Sequence, residues 1–306
     1  MKLEALFKAL SDETRLRLMG LLSRHELNVN EIVQVMEMGQ PRVSRHLRLL
    51  ADCGLLSSRR DGLWVFYQAN RADIYSEIID WLSRLMLEDE VLRGDIDQLE
   101  KRLQDSLQER TSFFDSLAPR WDVVKEDIIG KNHLIGEILG YVPLCTVAAD
   151  LGCGTGELLP SLRQKAEHVI GVDKSPKMLE EARRRFSQDG NGIELRIGEM
   201  EHLPMRDGEA DMVVINMVLH HLISPEIALK ETARALKPGS TLIIIDLNKH
   251  EEERLRTRFG HRWLGFERTE IETWLNQSGF AEKAFSQREA VEGLSINLFV
   301  SRKGRL

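Results

Sequence analysis

The stretch Val147-Ala148-Ala149-Asp150-Leu151-Gly152-Cys153-Gly154-Thr155-Gly156 decides the fold of the second half of this chain. The pattern predicts a buried strand that ends in a glycine-rich turn and continues into a helix. A second short apolar run, His168-Val169-Ile170-Gly171-Val172, ends at the acidic residue Asp173. Such an arrangement lets backbone approach a nucleotide-like ligand and places a carboxylate on the ligand's ribose.

Further apolar segments alternate with helical patterns around this turn. The predicted strands span residues 146–151, 168–172, 193–197, 211–216 and 241–246, followed by a closing pair at 280–286 and 295–301. Alternating strands and helices predict a doubly wound, mostly parallel sheet. Ligands of such sheets lie at the carboxyl ends of the strands.

Other motifs follow the glycine loop in order. They are Gly198-Glu199-Met200-Glu201-His202-Leu203-Pro204, Asp211-Met212-Val213-Val214-Ile215-Asn216 and Leu236-Lys237-Pro238-Gly239-Ser240. With these motifs, residues 112–306 resemble a class I S-adenosylmethionine-dependent methyltransferase. The resemblance implies an α/β, Rossmann-like fold and S-adenosylmethionine or S-adenosylhomocysteine as the bound cofactor.

The resemblance also implies a role for each pocket residue. The backbone of Gly152, Gly154 and Gly156, with the small Cys153 between them, passes close to the methionine part of the cofactor. Asp150 faces the cofactor's amino group, and Asp173 accepts hydrogen bonds from the ribose hydroxyls. The other implied contacts are Lys174 and Met178 beside the adenine, Glu199 at its amine, Met200 on its ring, and Asn216 and Met217 along the pocket.

No catalytic residue is fixed by the sequence. His220 and His221 are candidates for a general base, because histidine titrates near neutral pH. Methyl transfer from a sulfonium needs mainly the alignment of nucleophile, methyl group and leaving sulfur, so a base is optional. His250, His261, Arg262 and Trp263 are candidates for a lid or for a wall of the acceptor pocket.

The first seventy residues carry a different pattern. Helices are predicted over residues 3–10, after a cap at Ser11-Asp12, from about Asn30, and from Arg42 to about Asp52. Two strands follow, at 55–59 and 63–67, joined by the turn Arg60-Asp61-Gly62. Helix, turn, helix and β-hairpin together predict an α+β winged helix-turn-helix.

The fourth helix has a polar, basic face that suits a DNA major groove. Its candidate DNA-binding residues are Gln40, Arg42, Ser44, Arg45, His46 and Arg48, whereas Val43, Leu47, Leu49 and Leu50 are predicted to face inward. Arg59 and Arg60 in the wing are candidates for contacts to flanking phosphate or the minor groove. A solvated basic helix face would show the same composition, but the hairpin favours DNA binding. Residues 1–71 also hold eleven Lys and Arg against eight Asp and Glu, within a chain of net charge −7.

Residues 3–70 resemble an ArsR-type winged-helix repressor, through Leu10-Ser11-Asp12-Glu13-Thr14-Arg15-Leu16-Arg17-Leu18 and Val43-Ser44-Arg45-His46-Leu47-Arg48-Leu49-Leu50. Metal-sensing members of that family carry two cysteines near the start of the third helix, where this chain has Asn28 and Asn30. Asparagine is a poor ligand for soft metals, so no metal is expected. Asn30 is instead predicted to be the N-cap of the third helix.

One long helical pattern without proline runs from about Ala72 to Arg110, with Gly94 as its weak point. Its apolar stripe is Leu85, Leu92, Ile96, Leu99 and Leu103. The stripe fits either a dimer coiled coil or a helix packed on its own domain. Because ArsR-type regulators dimerise through their terminal helices, the resemblance favours a homodimer. The predicted domains are therefore a DNA-binding domain at 1–70, a dimerisation or linker helix at 71–111, and a methyltransferase-like domain at 112–306.

Composition narrows the remaining function classes. The three cysteines are scattered and fit a reducing compartment. No apolar run approaches the length of a membrane span, and Met1 to Phe7 lacks the apolar centre of a signal peptide. We therefore expect a cytoplasmic, DNA-binding repressor, in which the methyltransferase-like domain couples its ligand to the affinity for a double-stranded operator. The alternative is an active small-molecule methyltransferase, with an acceptor substrate and an autoregulatory DNA-binding domain.

Overall fold

The computed structural model describes residues 3–72, 74–86, 88–129, 134–186 and 192–305. Contacts divide the chain into two compact units, Met1–Gln108 and Glu109–Leu306. Within the described residues, no helix combines the length and the apolar character that crossing a membrane requires.

The first unit has the elements of a winged helix-turn-helix. Its helices are α1 (Leu3–Leu10), α2 (Glu13–Leu22), α3 (Val29–Met36), α4 (Gln40–Asp52), α5 (Ile74–Met86) and α6 (Glu90–Leu117), the last of which continues into the second unit. Its strands are β1 (Leu27–Asn28), β2 (Leu56–Asp61) and β3 (Trp64–Ala69). Both β1 and β2 pair antiparallel with the central strand β3.

The N-cap of α2 is a residue that the sequence predicts, whereas the N-cap of α3 is not. Asp12 caps α2, because its Oδ1 accepts a 3.1 Å hydrogen bond from the backbone N–H of Arg15. The predicted cap at Asn30 is wrong, since the N-cap of α3 is Asn28. Asn28 forms a capping box with Glu31, which satisfies two otherwise free N–H groups.

Helix α4 carries Pro41 in its first turn, where a missing N–H costs nothing. Val43, Leu47 and Leu50 are buried, as predicted. Leu49 is not, because 44% of it is exposed. Its position two residues after Leu47 places it on the outer side of the helix.

The wing is a β-hairpin whose turn starts two residues later than predicted. Asp61 pairs with Trp64, so that the two turn residues are Gly62 and Leu63. Gly62 has φ 58°, the left-handed conformation that glycine adopts at little cost.

The long helix predicted after the wing is two helices. α5 ends at Met86 and α6 begins at Glu90. Asp89 starts the new helix, because its Oδ1 accepts hydrogen bonds from the N–H groups of Val91 (2.9 Å) and Leu92 (3.1 Å). The predicted weak point Gly94 lies inside α6, and α6 runs past the predicted end at Arg110 to Leu117.

The predicted apolar stripe is largely buried within a single chain. The exposed fractions are 8% for Leu92, 6% for Ile96, 1% for Leu99 and 7% for Leu103, against 47% for Leu85. Asp95 on the same helix forms a two-pronged ion pair with Arg17 of α2, at 2.6 and 2.7 Å. Of the two predictions for this stripe, a helix packed on its own domain therefore describes α6. The four buried residues of the stripe are covered by the same chain and are not exposed for contact with a partner.

The second unit is built on a mixed sheet. Its strands are β4 (Cys145–Leu151), β5 (Ala166–Asp173), β6 (Ile193–Ile197), β7 (Ala210–Asn216), β8 (Leu236–Leu247), β9 (Phe280–Glu289) and β10 (Ser295–Lys303). The helices that follow α6 are α7 (Trp121–Ile129), α8 (Ile135–Tyr141), α9 (Leu159–Arg163), α10 (Pro176–Phe186), α11 (Pro225–Ala235), α12 (Glu253–Phe259) and α13 (Arg268–Gln277).

The described strands lie in the order β6-β5-β4-β7-β8-β10-β9. The pairs from β6 to β8 are parallel, and β10 pairs antiparallel with both β8 and β9. Every strand predicted for this half is confirmed. The central strands are covered on both faces, which explains apolar runs such as Val213 to Ile215 and Ile243 to Ile245, all fully buried. Strand order reverses beside β4, so the glycine loop lies at the switch point where such sheets bind ligands.

Candidate functional site

The loop between β4 and α9 is held in a conformation that suits glycine. Gly152, Gly154 and Gly156 have φ values of 76°, 53° and 75°. A Cβ on Gly152 would lie 2.3 Å from Cγ2 of Val218, and one on Gly156 would lie 2.7 Å from Cε2 of Phe186. Cys153 is buried between them, and burial raises the pKa of its thiol well above the ordinary value. The loop thus presents bare backbone, and Cys153 fills space beneath it.

Asp173, at the end of β5, is bonded to this loop. Its Oδ2 accepts a 2.8 Å hydrogen bond from the N–H of Gly154, and its Oδ1 accepts one of 2.8 Å from the N–H of Ser175. Burial raises the pKa of Asp173, and these backbone donors lower it in part. Each carboxylate oxygen can accept more than one bond, so the carboxylate keeps capacity for ligand hydroxyls.

Asp150 is the last polar residue of β4 before the loop and is 3% exposed. Burial, followed by repulsion from Asp173, raises the pKa of Asp150 to about 7. Two buried carboxyl groups that repel each other form a site where a cationic ligand group is favoured. That is the character expected for the pocket of a ligand with a positively charged amino group.

The predicted adenine residues lie in the adjoining segments. Nζ of Lys174 lies 2.7 Å from Oε1 of Glu199, so these two predicted residues form an ion pair. Met178 in α10 and Met200 after β6 are 2% and 6% exposed. Both methionines are thus buried, and Glu199 has a partner that the sequence did not indicate.

The end of β7 shows strain and an unsatisfied acceptor. Met217 has φ 61°, which costs a residue with a side chain about 1–3 kcal/mol. Oδ1 of the preceding Asn216 is buried, with no hydrogen-bond partner among the residues that the structure describes. Strain and buried unpaired acceptors concentrate at functional sites, which supports the predicted place of both residues in the pocket.

Sequence reasoning missed the segment that covers the loop, which begins where the linker helix was predicted to end and the methyltransferase-like domain to begin. Oδ1 of Asp115, near the end of α6, accepts a hydrogen bond from the hydroxyl of Ser175. Oδ1 of Asp122 accepts one of 3.1 Å from the hydroxyl of Thr155. The ring nitrogen of Trp121 would lie 3.5 Å from a Cβ on Gly154. The cluster of Phe113, Phe114 and Trp121 was the available sequence signal.

Three histidines lie together beyond the pocket. Nδ1 of His220 lies 2.6 Å from Oδ1 of Asp246, and both residues are buried. The ring centroid of His220 is 4.1 Å from that of His221 and 4.1 Å from that of His261. Burial lowers the pKa of His221 and of His261 well below the usual range, so both rings are neutral at pH 7. Of the two predicted base candidates, His220 has the carboxylate partner that orients a ring.

The basic face of α4 is exposed in part. Gln40, Arg42, Arg45 and Arg48 are exposed, while Ser44 and His46 are half-buried. Nδ1 of His46 lies 3.7 Å from Oδ1 of Asp12, and burial lowers the pKa of His46. His46 is therefore a neutral ring that contacts the neighbouring helix cap, and the free positive charge of this face is that of arginine.

The two wing arginines, predicted to contact flanking phosphate or the minor groove, both have partners within the chain. Nε of Arg59 lies 2.6 Å from Oε1 of Glu26, and Nη2 of Arg59 lies 3.2 Å from Oε2 of Glu26. Nε of Arg60 donates a 3.0 Å hydrogen bond to the carbonyl of Gly62 within the turn. The charge of Arg59 is thus matched by a carboxylate that the sequence places 33 residues away.

Comparisons with known proteins match the two units of the chain to two different families. Residues 12–58 match the family model described as "Bacterial regulatory protein, arsR family", and residues 149–244 match the model described as "Methyltransferase domain". The chain thus carries an ArsR-family helix-turn-helix domain followed by a class I methyltransferase domain.

Relatives match each part separately. The demethylmenaquinone methyltransferase of Lactiplantibacillus plantarum is 32% identical over 149 residues, which are 46% of this chain and 63% of the relative. The arsenic resistance transcriptional regulator ArsR1 of Pseudomonas putida is 38% identical over 92 residues, which are 30% of this chain and 63% of the relative. The chain therefore spans less than two thirds of each.

Among solved structures, the YcgJ protein of Bacillus subtilis is similar with a TM-score of 0.50 at 17% identity, over 56% of this chain and 98% of that protein. At this identity the likeness shows the fold alone.

Proposed function

We propose that this chain is a transcriptional regulator whose methyltransferase domain binds S-adenosylmethionine or S-adenosylhomocysteine and couples that ligand to operator affinity. The observation that carries the proposal is one helix, α6, which is bonded to α2 near its start and to the residue two positions after β5 near its end. Near its start, Asp95 pairs with Arg17 of the helix-turn-helix unit at 2.6 Å. Near its end, Asp115 bonds Ser175, whose own N–H is bonded to the ribose candidate Asp173.

The ligand side of the proposal rests on charge and shape. The backbone from Gly152 to Gly156 carries no side chain at its three glycines, and the carboxyl groups of Asp150 and Asp173 favour a cationic ligand. Both candidate ligands carry an α-amino group and a ribose. Trp121 lies beside Gly154 of this loop, and Asp115 accepts a hydrogen bond from Ser175 after β5. A ligand that fixes the loop would therefore also fix the positions of these two residues.

The DNA side rests on α4 and on a proposed homodimer. Besides the exposed arginines of α4, helix α5 exposes an apolar stripe at positions i, i+7 and i+11. The exposed fractions are 48% for Ile74, 51% for Trp81 and 47% for Leu85. Helix α1 adds Leu3 and Phe7, at 59% and 57%. Such surfaces mark protein interfaces, so we assign the homodimer to α1 and α5 rather than to the buried stripe of α6.

A two-fold dimer would present two recognition helices about 34–36 Å apart to a palindromic operator. The test is to titrate each ligand into the purified full-length chain while following its binding to DNA of its own promoter by fluorescence anisotropy. A coupling of about 1–3 kcal/mol would change the affinity by about 5–150-fold. Equal DNA affinity with and without either ligand would refute the proposed coupling.

A second function, methyl transfer to a small molecule, is favoured by one observation. The pair His220–Asp246 has the geometry of an oriented general base, with 2.6 Å between its polar atoms. The likeness to the demethylmenaquinone methyltransferase suggests a quinone-like acceptor. Turnover of labelled methyl groups onto an added acceptor, lost in His220→Ala, would support this function, and a complete absence of turnover would leave the ligand-sensing function.

A further inference from the structure

We propose that His220, His221 and His261 form a binding site for a divalent transition-metal ion of the kind that prefers imidazole ligands, with Zn²⁺ as its representative. This site is separate from the cysteine positions of metal-sensing repressors, and it lies in the methyltransferase domain. The expectation that no metal binds rested on the absence of thiolates, and it left this cluster out of account.

The geometry brings one nitrogen from each ring within 4.8 Å of the other two. In a tetrahedral Zn²⁺ site with bonds of about 2.0–2.1 Å, neighbouring ligand nitrogens lie about 3.3 Å apart. Small rotations of the rings would close the remaining distance. The ring centroids are 4.1 Å apart for His220–His221, 4.1 Å for His220–His261 and 4.9 Å for His221–His261.

Neighbouring acceptors orient two of the rings as they do in metal sites. Oδ1 of Asp246 lies 2.6 Å from Nδ1 of His220, which leaves Nε2 of that ring available. The carbonyl of Gly260 lies 3.4 Å from Nδ1 of His221. Metal-bound histidines regularly give their second nitrogen to a carboxylate or a backbone carbonyl, which fixes the ring and raises its basicity.

Two buried polar atoms at the cluster lack partners, and this is an independent indication of a missing ligand. Nδ1 of His261 is buried without a hydrogen bond to any described residue, although His261 is 3% exposed. Within the same described ranges, Oδ2 of Asp246 is also buried without a partner. A bound ion would take the nitrogen of His261 as a ligand.

The backbone holds the cluster in place. The N–H groups of Arg262 and Trp263 each donate a 3.0 Å hydrogen bond to the carbonyl of His220. The ring N–H of Trp263 donates one of 2.9 Å to the carbonyl of Leu222. The segment that carries His261 is thereby fastened to the turn that carries His220 and His221, so the ligands are brought together before any ion binds.

Nearby positive charges are already engaged. Arg110 donates a 3.0 Å hydrogen bond to the carbonyl of His221, and Arg256 lies 3.2 Å from Glu253. Asp246 supplies a negative charge beside the site.

The site lies close to the cofactor loop. Val218, two residues before His220, is the side chain that a Cβ on Gly152 would strike at 2.3 Å. Three protein ligands leave the fourth position of a tetrahedral ion to water or to an oxygen or thiolate of a bound molecule.

The experiment is a Co²⁺ titration of the full-length protein after treatment with a chelator, followed by the visible absorption of tetrahedral Co²⁺. We expect a spectrum that saturates at one ion per chain and is displaced by Zn²⁺. His261→Gln and His221→Gln should each abolish it, and Asp246→Asn should weaken binding about 10–100-fold. His168→Gln, a change of an exposed histidine on β5, is the matched control and should bind as the wild type does.

Circular dichroism of each chelator-treated variant shows whether it folds, and the half-buried His221 provides a second variant if His261→Gln does not. The proposal is overturned if wild-type protein binds Co²⁺ no more tightly than the folded histidine variants. It is equally overturned if Co²⁺ bound to the wild type gives only the weak spectrum of the octahedral aqueous ion.

Discussion

The backbone N–H of Gly154 donates a 2.8 Å hydrogen bond to the carboxylate of Asp173. The carboxylate predicted to bind a ribose therefore also fastens the glycine loop to the end of β5. Its other oxygen accepts from Ser175 at the start of α10. Ligand affinity and loop geometry consequently depend on the same side chain.

Replacing Asp173 with alanine should weaken S-adenosylhomocysteine binding while leaving DNA binding without ligand intact. Hydrogen bonds to a charged group contribute about 1.5–3 kcal/mol, which corresponds to a loss of about 10–150-fold in affinity. Isothermal titration calorimetry measures the loss. Asp207→Ala, at a side chain that is 84% exposed, is the control. Loss of DNA binding with full ligand affinity would contradict the assignment.

The raised pKa of Asp150, about 7, predicts a pH-dependent ligand affinity. The amino group of S-adenosylhomocysteine favours the ionised carboxylate, so binding should release a proton near neutral pH. Affinity should then rise about 10-fold from pH 6 to pH 8, as the ionised fraction of a group with pKa 7 does. Asp150→Asn should remove the dependence. Calorimetry in two buffers of different ionisation enthalpy measures the proton, and an equal heat in both would contradict the prediction.

The same shift affects the stability of the ligand-free protein in the opposite sense. Because the folded state holds the Asp150 proton more tightly than the unfolded state does, the contribution of Asp150 to stability is present below about pH 4 and is lost as pH rises through 7. Saturating ligand should cancel this trend between pH 6 and 8, because the complex holds Asp150 ionised, as the unfolded chain does.

On the DNA side, Arg45→Ala should reduce operator affinity more than Arg59→Ala. Arg45 is exposed on α4, whereas Arg59 is paired with Glu26 at 2.6 Å. Loss of a base contact costs about 1–3 kcal/mol. Fluorescence anisotropy at two salt concentrations distinguishes base from phosphate contacts, because losing a phosphate contact lowers the salt slope by about 1. The reverse order of effects would assign the reading of DNA to the wing.

The exposed stripe of α5 predicts that Trp81→Ser weakens self-association. Trp81 is 51% exposed in the single chain, and buried tryptophans at interfaces commonly contribute about 2 kcal/mol or more, or about 30-fold in the dimer dissociation constant. Analytical ultracentrifugation measures the change. Leu144→Ser, at an 83% exposed residue of the second unit, should have no effect. An unchanged dimer in Trp81→Ser would place the interface elsewhere.

Local patterns were sufficient for the strands of the second unit and for its glycine loop. Strands such as 211–216 are apolar because both of their faces are covered. The positive φ of Gly152 could be anticipated because glycine adopts that conformation at little cost. The helix boundaries were harder. Asn28 and Asn30 are both good N-caps, and the choice of Asn28 depends on Glu31 three residues later.

Contacts between distant residues were beyond the sequence. Nothing local indicates that Glu26 neutralises Arg59, or that His261 lies 4.1 Å from His220. The apolar stripe of α6 was visible, but whether it faces its own domain or a partner depends on the chain around it. The exposed stripe of α5 had the same helical spacing and was distinguished only by its burial.

The central claim is that ligand and operator affinities are linked through one chain, and linkage is reciprocal. The most direct measurement is S-adenosylhomocysteine affinity by calorimetry, on the free protein and on the protein saturated with promoter DNA. We predict a difference of about 5–150-fold, equal to the change that the ligand causes in DNA affinity. Identical ligand affinities in the two states would contradict the account.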